Sequence, residues 1–369
     1  MNSTAIATIN LSALQHNLSQ LRIILPKQKI IAMIKSNAYG HGLIPVAKAF
    51  SKANALGVAT ISEALQLRAA GIECDIVVMR GFLSCDELQV FLSDPHLIAC
   101  LHDPVQIQIL DHAHHSNKKS NNALRVWLKI DTGMHRLGFL YEDFSTVYNH
   151  LNTLPMIDKS FVVCSHLADA DNPDTRFTEL QLTRFSAIVK NLPNEKSILN
   201  SAGILAHTHA HYDWIRPGLM LYGIFPFQLN DGRVFCNNRI TLKPAMTLTS
   251  QLIAIKNVKA GEKIGYSCTY TAERDMKIGI VGMGYGDSYP RQVKNGAPVL
   301  IHNQRCQIVG RVSMDMITVD ISHLKQVAID DVVTLWGENL LVSEIAACAN
   351  TISHELLCHL TGRVGVRLK

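Results

Sequence analysis

The sequence lacks any apolar run long enough to cross a membrane. Its 369 residues contain no stretch approaching the roughly 20 consecutive apolar residues that a transmembrane helix needs. The amino-terminal segment, MNSTAIATINLSAL, has neither the basic leader nor the long apolar core of a secretory signal. These absences favour a cytoplasmic protein and give no reason to expect a membrane partner.

Patterned cysteines and basic clusters are also missing. The nine cysteines include no CxxC pair, so a reducing compartment fits better than a disulfide framework. The net charge of +5 comes from scattered Lys and Arg, and Lys118-Lys119 is the nearest approach to a basic run. Nucleic acid is therefore not an expected partner. A composition of 47% apolar and 18% charged residues is typical of a globular protein.

Eight short apolar runs alternate with amphipathic stretches between residues 29 and 223. This alternation is typical of an α/β chain that folds as a (β/α)8 TIM-type barrel. After about residue 235 the pattern changes to strands separated by turns. We therefore predict a barrel at residues 11–234 and a separate mainly-β domain at residues 235–369. We expect an amino-terminal strand at residues 1–10 to pair with the strands of this second domain.

Polar residues collect at the carboxyl ends of the predicted barrel strands. Barrel enzymes place their catalytic groups at this end and in the loops that follow. Because these apolar strands all end in polar side chains at the same end of the barrel, we predict a single functional site there. In strand order, these residues are Lys35, Lys129, Asp131, Ser165, His166, Asn200, Ser201 and Arg216.

Lys35 closes the apolar run IIAMI, where core packing alone would favour another aliphatic side chain. A lysine buried there tends to lose its proton, and a neutral amine can form an imine with an aldehyde. The side chain can also extend past the barrel rim into water, so the position alone leaves both interpretations open. Gly218 would let backbone N–H groups approach a phosphate, and Ser201 and Tyr39 would add hydroxyl groups to the same anion site.

Several segments resemble, in the same order, the signatures of bacterial alanine racemases. In the predicted barrel they are AMIKSNAYGHG, LKIDTGMHRLG, SHLADAD, LNSAG and WIRPGLMLYG, and in the second domain GYSCTYTA, GYGDSYPR and GRVSMDM. The resemblance covers nearly the whole chain. It implies a homodimeric isomerase that uses pyridoxal 5'-phosphate to interconvert L- and D-alanine and supplies D-alanine for peptidoglycan.

The resemblance implies that Lys35 and Tyr266 are the two catalytic bases. Lys35 would carry the cofactor as a Schiff base and move the α-proton on one face of the substrate, and Tyr266 of the neighbouring subunit would serve the other face. Two opposed bases invert the α-carbon because a single base tends to return the proton to its original side. A tyrosine with a pKa of about 10 needs polar or cationic neighbours, such as His166 and Arg216, to act as a base.

The same resemblance implies the other site residues. Arg216, a permanent donor, would face the pyridine nitrogen of the cofactor and keep it unprotonated, which should suppress side reactions. The implied cofactor-binding residues besides Lys35 are Tyr39, His166, Asn200, Ser201, Arg216, Gly218 and Leu219. The implied substrate-binding residues are Arg136 for the carboxylate, a carbamylated Lys129 that holds Arg136, the backbone amide of Met314, and Tyr285 at a narrow entrance. No metal is implied.

The carboxyl-terminal stretch HLTGRVGVRLK departs from the family pattern. Some family members carry a tyrosine near the carboxyl terminus that touches the cofactor phosphate, and here Gly362 takes what we interpret as its place. We therefore leave the terminus out of the predicted site.

The residues alone leave other interpretations open. Arg216 also fits a salt bridge at the barrel rim, and His166 fits a structural role. The alternating His207, His209 and His211 resemble metal ligands, as in binuclear hydrolases, although a solvated polar surface is the simpler interpretation. Further alternatives are a racemase of broader specificity, a non-catalytic pyridoxal-phosphate carrier and a decarboxylase. A second domain containing GYSCTY favours catalysis over the carrier, and a decarboxylase should have an acidic group in place of Arg216.

Overall fold

The computed structural model describes residues 4–115, 123–172, 176–227 and 240–369. The predicted boundary between residues 234 and 235, the dipeptide Lys118-Lys119 and the start of the predicted strand 1–10 lie outside these ranges. Within them, the chain forms a closed parallel barrel followed by a mainly antiparallel sheet. The predicted fold class is confirmed.

Eight parallel strands close the barrel, in which the last strand pairs with the first. Most of them are buried along their whole length, because one side faces the barrel interior and the other faces the surrounding helices. This burial accounts for the continuous apolar runs in the sequence. After β1 (Ile6–Ile9), the barrel strands are β2 (Lys29–Met33), β3 (Ala55–Val58), β4 (Ile76–Val78), β5 (Leu97–Leu101), β6 (Val126–Lys129), β7 (Val162–Cys164), β8 (Lys196–Ser197) and β9 (Trp214–Ile215).

Helical segments precede the first barrel strand and connect the strands that follow. They are α1 (Leu11–Ile24), α2 (Lys35–Tyr39), α3 (Leu43–Ala49), α4 (Ile61–Ala69), α5 (Cys85–Ser93), α6 (Pro104–His115), α7 (Phe144–Thr153), α8 (Phe177–Val189) and α9 (Ser201–Ala206). Side-chain caps fix several of their starts: Asn10 caps α1, Thr60 and Glu63 form a reciprocal capping box at α4, and Asn200 caps α9. In the described ranges, no helix combines the length and apolar character that crossing a membrane requires.

The second domain is an eight-stranded sheet with the order β13-β16-β15-β14-β17-β10-β1-β18 and a further pairing of β10 with β13. Two short helices follow β17. The remaining strands are β10 (Met246–Val258), β11 (Lys263–Ile264), β12 (Tyr270–Thr271), β13 (Met276–Val281), β14 (Pro298–Ile301), β15 (Gln304–Ile308), β16 (Ile317–Asp320), β17 (Val332–Trp336) and β18 (Gly365–Leu368), and the helices are α10 (Val342–Cys348) and α11 (Ser353–Cys358).

The amino-terminal strand belongs to this sheet and not to the barrel. β1 runs antiparallel to β10, with Ile6 opposite Thr249, and parallel to β18, with Ile6 opposite Gly365. The strand β1 of the second domain therefore precedes the barrel in the sequence, and the other strands of the same sheet follow the barrel.

Asn17 of α1 forms hydrogen bonds both to the end of the barrel and to the segment that leads into the second domain. Its side chain is fully buried. The amide donates to the carbonyl oxygens of Leu221 at 3.0 Å and Lys243 at 2.9 Å, and Oδ1 accepts from the Lys243 N–H at 2.8 Å. One side chain thus satisfies three backbone groups, of which the Leu221 carbonyl oxygen is buried.

The substitution Asn17→Ala should lower the free energy of unfolding by about 1–3 kcal/mol, because it leaves the buried Leu221 carbonyl oxygen without this partner. Chemical denaturation measures the effect. The matched control is Asn152→Ala, which removes an exposed amide that donates to Tyr148 O within α7 and should cost under about 0.5 kcal/mol. Equal costs for the two variants would contradict the anchoring role of Asn17.

Candidate active site

A cavity of about 630 Å³ opens at the carboxyl ends of the barrel strands. The barrel residues that the family resemblance implies all line it, although they come from five different strand ends and loops. Asp131 and Ser165, which the strand-end pattern also predicts, do not line it, because their side chains bond to nearby backbone groups, the Gly133 N–H and the Ile130 carbonyl oxygen. Apolar side chains such as Met33, Met79 and Met134 fill the spaces between them. The predicted residues in its wall are Lys35, Tyr39, Lys129, Arg136, His166, Asn200, Ser201, Arg216, Gly218 and Leu219.

Lys35 directly precedes a segment with positive φ values that follows β2. Residues Ser36–Tyr39 have φ values between 52° and 56°, so this stretch is a left-handed turn built from residues that carry side chains. Such residues rarely adopt positive φ, and several in succession require support from their surroundings. Part of that support comes from Glu63, whose carboxylate accepts from the Ser36 N–H at 2.6 Å. The turn fixes the direction in which the chain leaves Lys35.

The second domain supplies the rest of that support through α11. Gly40 has a φ of 78°, and a Cβ at this position would lie 1.9 Å from the Leu357 carbonyl oxygen, so only glycine allows the approach. The same helix brings His354 and Cys358 into the cavity wall, and the His354 ring lies 5.7 Å from the Tyr39 ring.

His354 and Cys358 are not among the residues predicted from sequence. They lie in a different domain from the barrel, and no motif connects them with the strand ends. One available signal is their spacing: side chains four residues apart in a helix share a face, so His354 and Cys358 form a polar pair on a short helix. The pair directly precedes the carboxyl-terminal stretch 359–369.

Burial and mutual repulsion lower the pKa of both lysines in the cavity. For Lys35 the larger cause is burial, followed by the positive charge of Arg136. Burial likewise dominates at Lys129, where the charges of Arg216 and Arg136 lower the pKa further. The Lys129 amine donates to the Leu137 carbonyl oxygen at 2.7 Å. Both amines therefore release a proton more readily than an exposed lysine does.

Arg216 lies in the cavity floor and is only 4% exposed. Its guanidinium donates to the Ser197 hydroxyl and to the carbonyl oxygens of Ser165 and Ile198. Burial lowers the pKa of Arg216, yet a guanidinium remains charged across the accessible pH range. The observed contacts are made inside the barrel and do not match a salt bridge at the rim.

His166 stands beside Arg216, with 3.4 Å between the Arg216 Nη2 and His166 Nδ1 atoms. Burial lowers the pKa of His166 well below its usual value, and the charges of Arg216, Lys129, Arg136 and Lys35 lower it further. The imidazole is therefore neutral at pH 7.

A buried hydrogen-bond network that the sequence analysis does not single out holds the backbone of His166. Gln181 of α8 donates to the His166 carbonyl oxygen at 3.0 Å and to Thr132 Oγ1 at 3.3 Å. The Thr132 and Ser165 hydroxyls lie 2.9 Å apart, and Ser165 donates to the Ile130 carbonyl oxygen. Such fully satisfied buried networks keep a strand end rigid.

Ser201, Gly218 and Tyr39 form a compact group at the side of the cavity. Ser201 Oγ accepts from the backbone N–H groups of Gly218 at 3.0 Å and Met220 at 3.4 Å. A Cβ at Gly218 would lie 2.5 Å from the Tyr39 hydroxyl, so a side chain there would fill the space. Burial raises the pKa of Tyr39, which keeps its phenol neutral and able to donate. Hydroxyl groups around a small open space suit an anion.

Tyr266, Tyr285 and Met314 do not line this cavity. They lie in the second domain and are exposed by 66%, 38% and 52%. Their loops approach one segment, residues 311–314: the Tyr285 N–H donates to the Ser313 carbonyl oxygen at 3.0 Å, and a Cβ built on Gly265, the residue before Tyr266, would lie 3.2 Å from the Arg311 backbone nitrogen. The structure thus places the predicted residues in two groups, a cavity in the barrel and an exposed surface on the second domain.

The alternating histidines also lie away from the cavity. None of His207, His209 and His211 is among its lining residues. His207 and His209 lie next to Glu179 of α8, whereas a ring nitrogen of His211 lies 2.7 Å from the Ile204 carbonyl oxygen. A hydrolytic metal centre in the barrel would need such ligands in the cavity wall.

Comparison with known proteins places the whole chain in one family. The family model "Alanine racemase, N-terminal domain" matches residues 9–226, and "Alanine racemase, C-terminal domain" matches residues 245–368. An alanine racemase of Coxiella burnetii (strain CbuG_Q212) is 49% identical over 362 residues, which cover 98% of this chain and 97% of that protein.

Solved structures agree with this assignment. The biosynthetic alanine racemase of Pseudomonas aeruginosa superposes with a TM-score of 0.91 at 36% identity, over 99% of both chains. The alanine racemase of Bartonella henselae, solved with covalently bound pyridoxal phosphate, superposes with a TM-score of 0.87 at 28% identity, over 100% of both chains. Matches of this extent exclude the carrier, decarboxylase and hydrolase interpretations. The chain therefore belongs to the alanine racemase family and is an amino-acid racemase.

Proposed function

We propose that the chain interconverts L-alanine and D-alanine with pyridoxal phosphate bound at Lys35, and that it supplies D-alanine for peptidoglycan. The observation that carries the proposal is the position of Lys35. Its amine has a lowered pKa and shares a cation-rich cavity with an anion-binding group of hydroxyls. A covalently bound cofactor in the Bartonella henselae relative supports the same chemistry here.

The cavity residues fit this cofactor. Ser201, Tyr39 and the open space at Gly218 would hold its phosphate, and Arg216 would donate to its ring nitrogen. The neutral ring of His166 would pack on the pyridine, while Asn200 and Leu219 complete the wall. Bound pyridoxal phosphate withdraws electrons from the α-carbon of an amino acid and so makes its α-proton acidic.

Arg216 limits what the activated substrate can do. A guanidinium cannot pass a proton to the ring nitrogen, so it holds that nitrogen as an acceptor. The electron withdrawal is then weaker than it is beside a carboxylate, which favours rapid return of a proton to the α-carbon over slower side reactions. The hydroxyl and carbonyl partners of Arg216 keep its guanidinium in this position.

Two bases on opposite faces of the α-carbon account for inversion. Lys35 Nζ removes or returns the proton on one face, and the Tyr266 hydroxyl does so on the other. Tyr266 is exposed and absent from the cavity of its own chain, so we propose that Tyr266 of the partner subunit enters the cavity in a homodimer. The backbone amide of Met314 and the ring of Tyr285, which share that surface, would come with it and bind the substrate carboxylate and narrow the entrance.

Arg136 would bind the carboxylate of alanine from the cavity rim. Lys129 is the last residue of β6, the strand that precedes the Arg136 loop, and its amine donates to the carbonyl oxygen of Leu137, the residue after Arg136. Because burial lowers the pKa of Lys129, more of it is neutral, which is the form that reacts with carbon dioxide to give a carbamate. We propose that a carbamylated Lys129 places a negative charge next to Arg136 and orients it.

The proposed activity has a direct test. Cofactor-loaded protein incubated with L-alanine in heavy water should give alanine that is deuterated at the α-carbon and racemic, as followed by NMR and polarimetry. The Lys35→Ala variant should give neither product. Absence of both deuteration and racemisation in the unmodified protein would exclude the function, and equal kcat/KM values for alanine and serine would replace it with a racemase of broader specificity.

The substitution Tyr266→Phe should lower kcat by at least about 10²-fold, because it removes one of the two proton-transfer groups. The visible absorption of the bound cofactor should persist, since Lys35 is intact. Tyr270→Phe, which changes the same functional group in the adjacent β12, is the matched control and should leave kcat unchanged. Loss of the cofactor absorption in the Tyr266 variant would show that its role is structural.

The substitution Arg136→Gln should raise the KM for alanine at least about tenfold, because a charge-assisted pair contributes about 1.5–3 kcal/mol. It should also move cofactor uptake by the apoprotein to higher pH. The charge of Arg136 lowers the pKa of Lys35, so its removal raises that pKa and less neutral amine is present at a given pH. Steady-state kinetics and a spectroscopic pH titration measure the two effects, with the exposed Arg274→Gln as control.

A further inference from the structure

Three metal-ligating side chains meet on the outside of the barrel. Within the described part of the chain, Glu179, His207 and His209 form the one group of three or more such residues whose ligand atoms all lie within 4.8 Å of one another. His207 Nδ1 lies 3.2 Å from Glu179 Oε1, and the His207 and His209 rings lie 6.0 Å apart in a nearly perpendicular arrangement. We call Glu179, His207 and His209 the lateral triad.

The backbone fixes the three positions independently of any ion. Glu179 lies in the first turn of α8. His207 follows the last turn of α9, where its N–H donates to the Gly203 carbonyl oxygen at 2.9 Å, and its own carbonyl accepts from the Ala210 N–H at 3.0 Å. His209 lies in the 3₁₀ turn between these bonds. The ligand atoms of the three side chains all lie within 4.8 Å of one another on this backbone.

The donor set selects the kind of ion. Two imidazoles and one carboxylate suit zinc and related transition metals, whereas calcium and magnesium prefer oxygen ligands alone. A tetrahedral zinc ion with bonds of about 2.0–2.1 Å separates its donors by roughly 3.4 Å. The distance between His207 Nδ1 and Glu179 Oε1 already approaches this value, at 3.2 Å.

His211, the third of the alternating histidines, is not part of the lateral triad, because its ring forms a hydrogen bond with the Ile204 carbonyl oxygen.

We propose that the lateral triad binds one zinc ion per chain, with water in the fourth position, at a site separate from the racemase cavity. The bound ion joins the start of α8 to the end of α9, two segments that the chain otherwise connects only through the loops around β8. The site is non-catalytic with respect to alanine, since none of its ligands lines the cavity.

Titration calorimetry of the cofactor-loaded enzyme with zinc chloride tests the proposal. We expect saturable binding of one ion per chain with a Kd of roughly 1–10 μM, weaker than closed four-ligand structural sites. Because the chain has 17 histidines, the result depends on matched variants. His209→Ala and Glu179→Gln should weaken binding at least tenfold, and His211→Ala should bind zinc as the native enzyme does.

Absorption spectra with cobalt(II) in place of zinc provide a second measurement, because a tetrahedral His₂Glu site gives visible bands that hexaaqua cobalt lacks. Racemase activity and circular dichroism of each variant establish that it folds. Equal zinc affinity in native enzyme, His209→Ala and Glu179→Gln would overturn the proposal, as would the absence of saturable binding up to about 100 μM in a folded, active enzyme. Both outcomes leave the proposed racemase function unaffected.

Discussion

The crowding of like charges in one cavity is the constraint on which the site depends. Lys35, Lys129, Arg136 and Arg216 share the cavity wall with one carboxylate, that of Asp171. Charges a few ångströms apart in a partly desolvated space repel one another by several kcal/mol. Oxygen acceptors surround the guanidinium of Arg216, and the pKa values of Lys35 and Lys129 are lowered. An anionic occupant would relieve the remaining repulsion, which agrees with the proposed binding of a phosphate and a carboxylate in this cavity.

The barrel and the position of its cavity follow from the sequence because two simple rules govern them. Parallel strands buried on both sides must be continuous apolar runs, and their carboxyl ends must meet at one rim. These rules alone bring Lys35, His166, Asn200 and Arg216 to a common end. The rules say nothing about which side chain turns inward or what each contributes, and those assignments came from the family resemblance.

The features that sequence reasoning missed depend on contacts between distant segments. The left-handed turn at Ser36–Tyr39 has no sequence signature of its own, since its residues are not glycines and their backbone is held by Glu63 and α11. His354 reaches the cavity from the other domain. The alternation of His207 and His209 was visible, but Glu179, which completes the lateral triad, comes from a separate helix. In each case a local pattern is incomplete without a tertiary partner.

The position of β1 between β10 and β18 has a consequence for how the chain is made. On the ribosome, β1 emerges before the barrel, while β10 and β18 emerge only after it. Both edges of β1 therefore lack their partners until β10 emerges, and one edge lacks its partner until β18 emerges; such an edge can pair with other chains. Contacts between residues this far apart in sequence also form slowly. The growing chain therefore passes through an interval in which β1 is made and its own sheet partners are not, and pairing with another chain competes with folding during that interval.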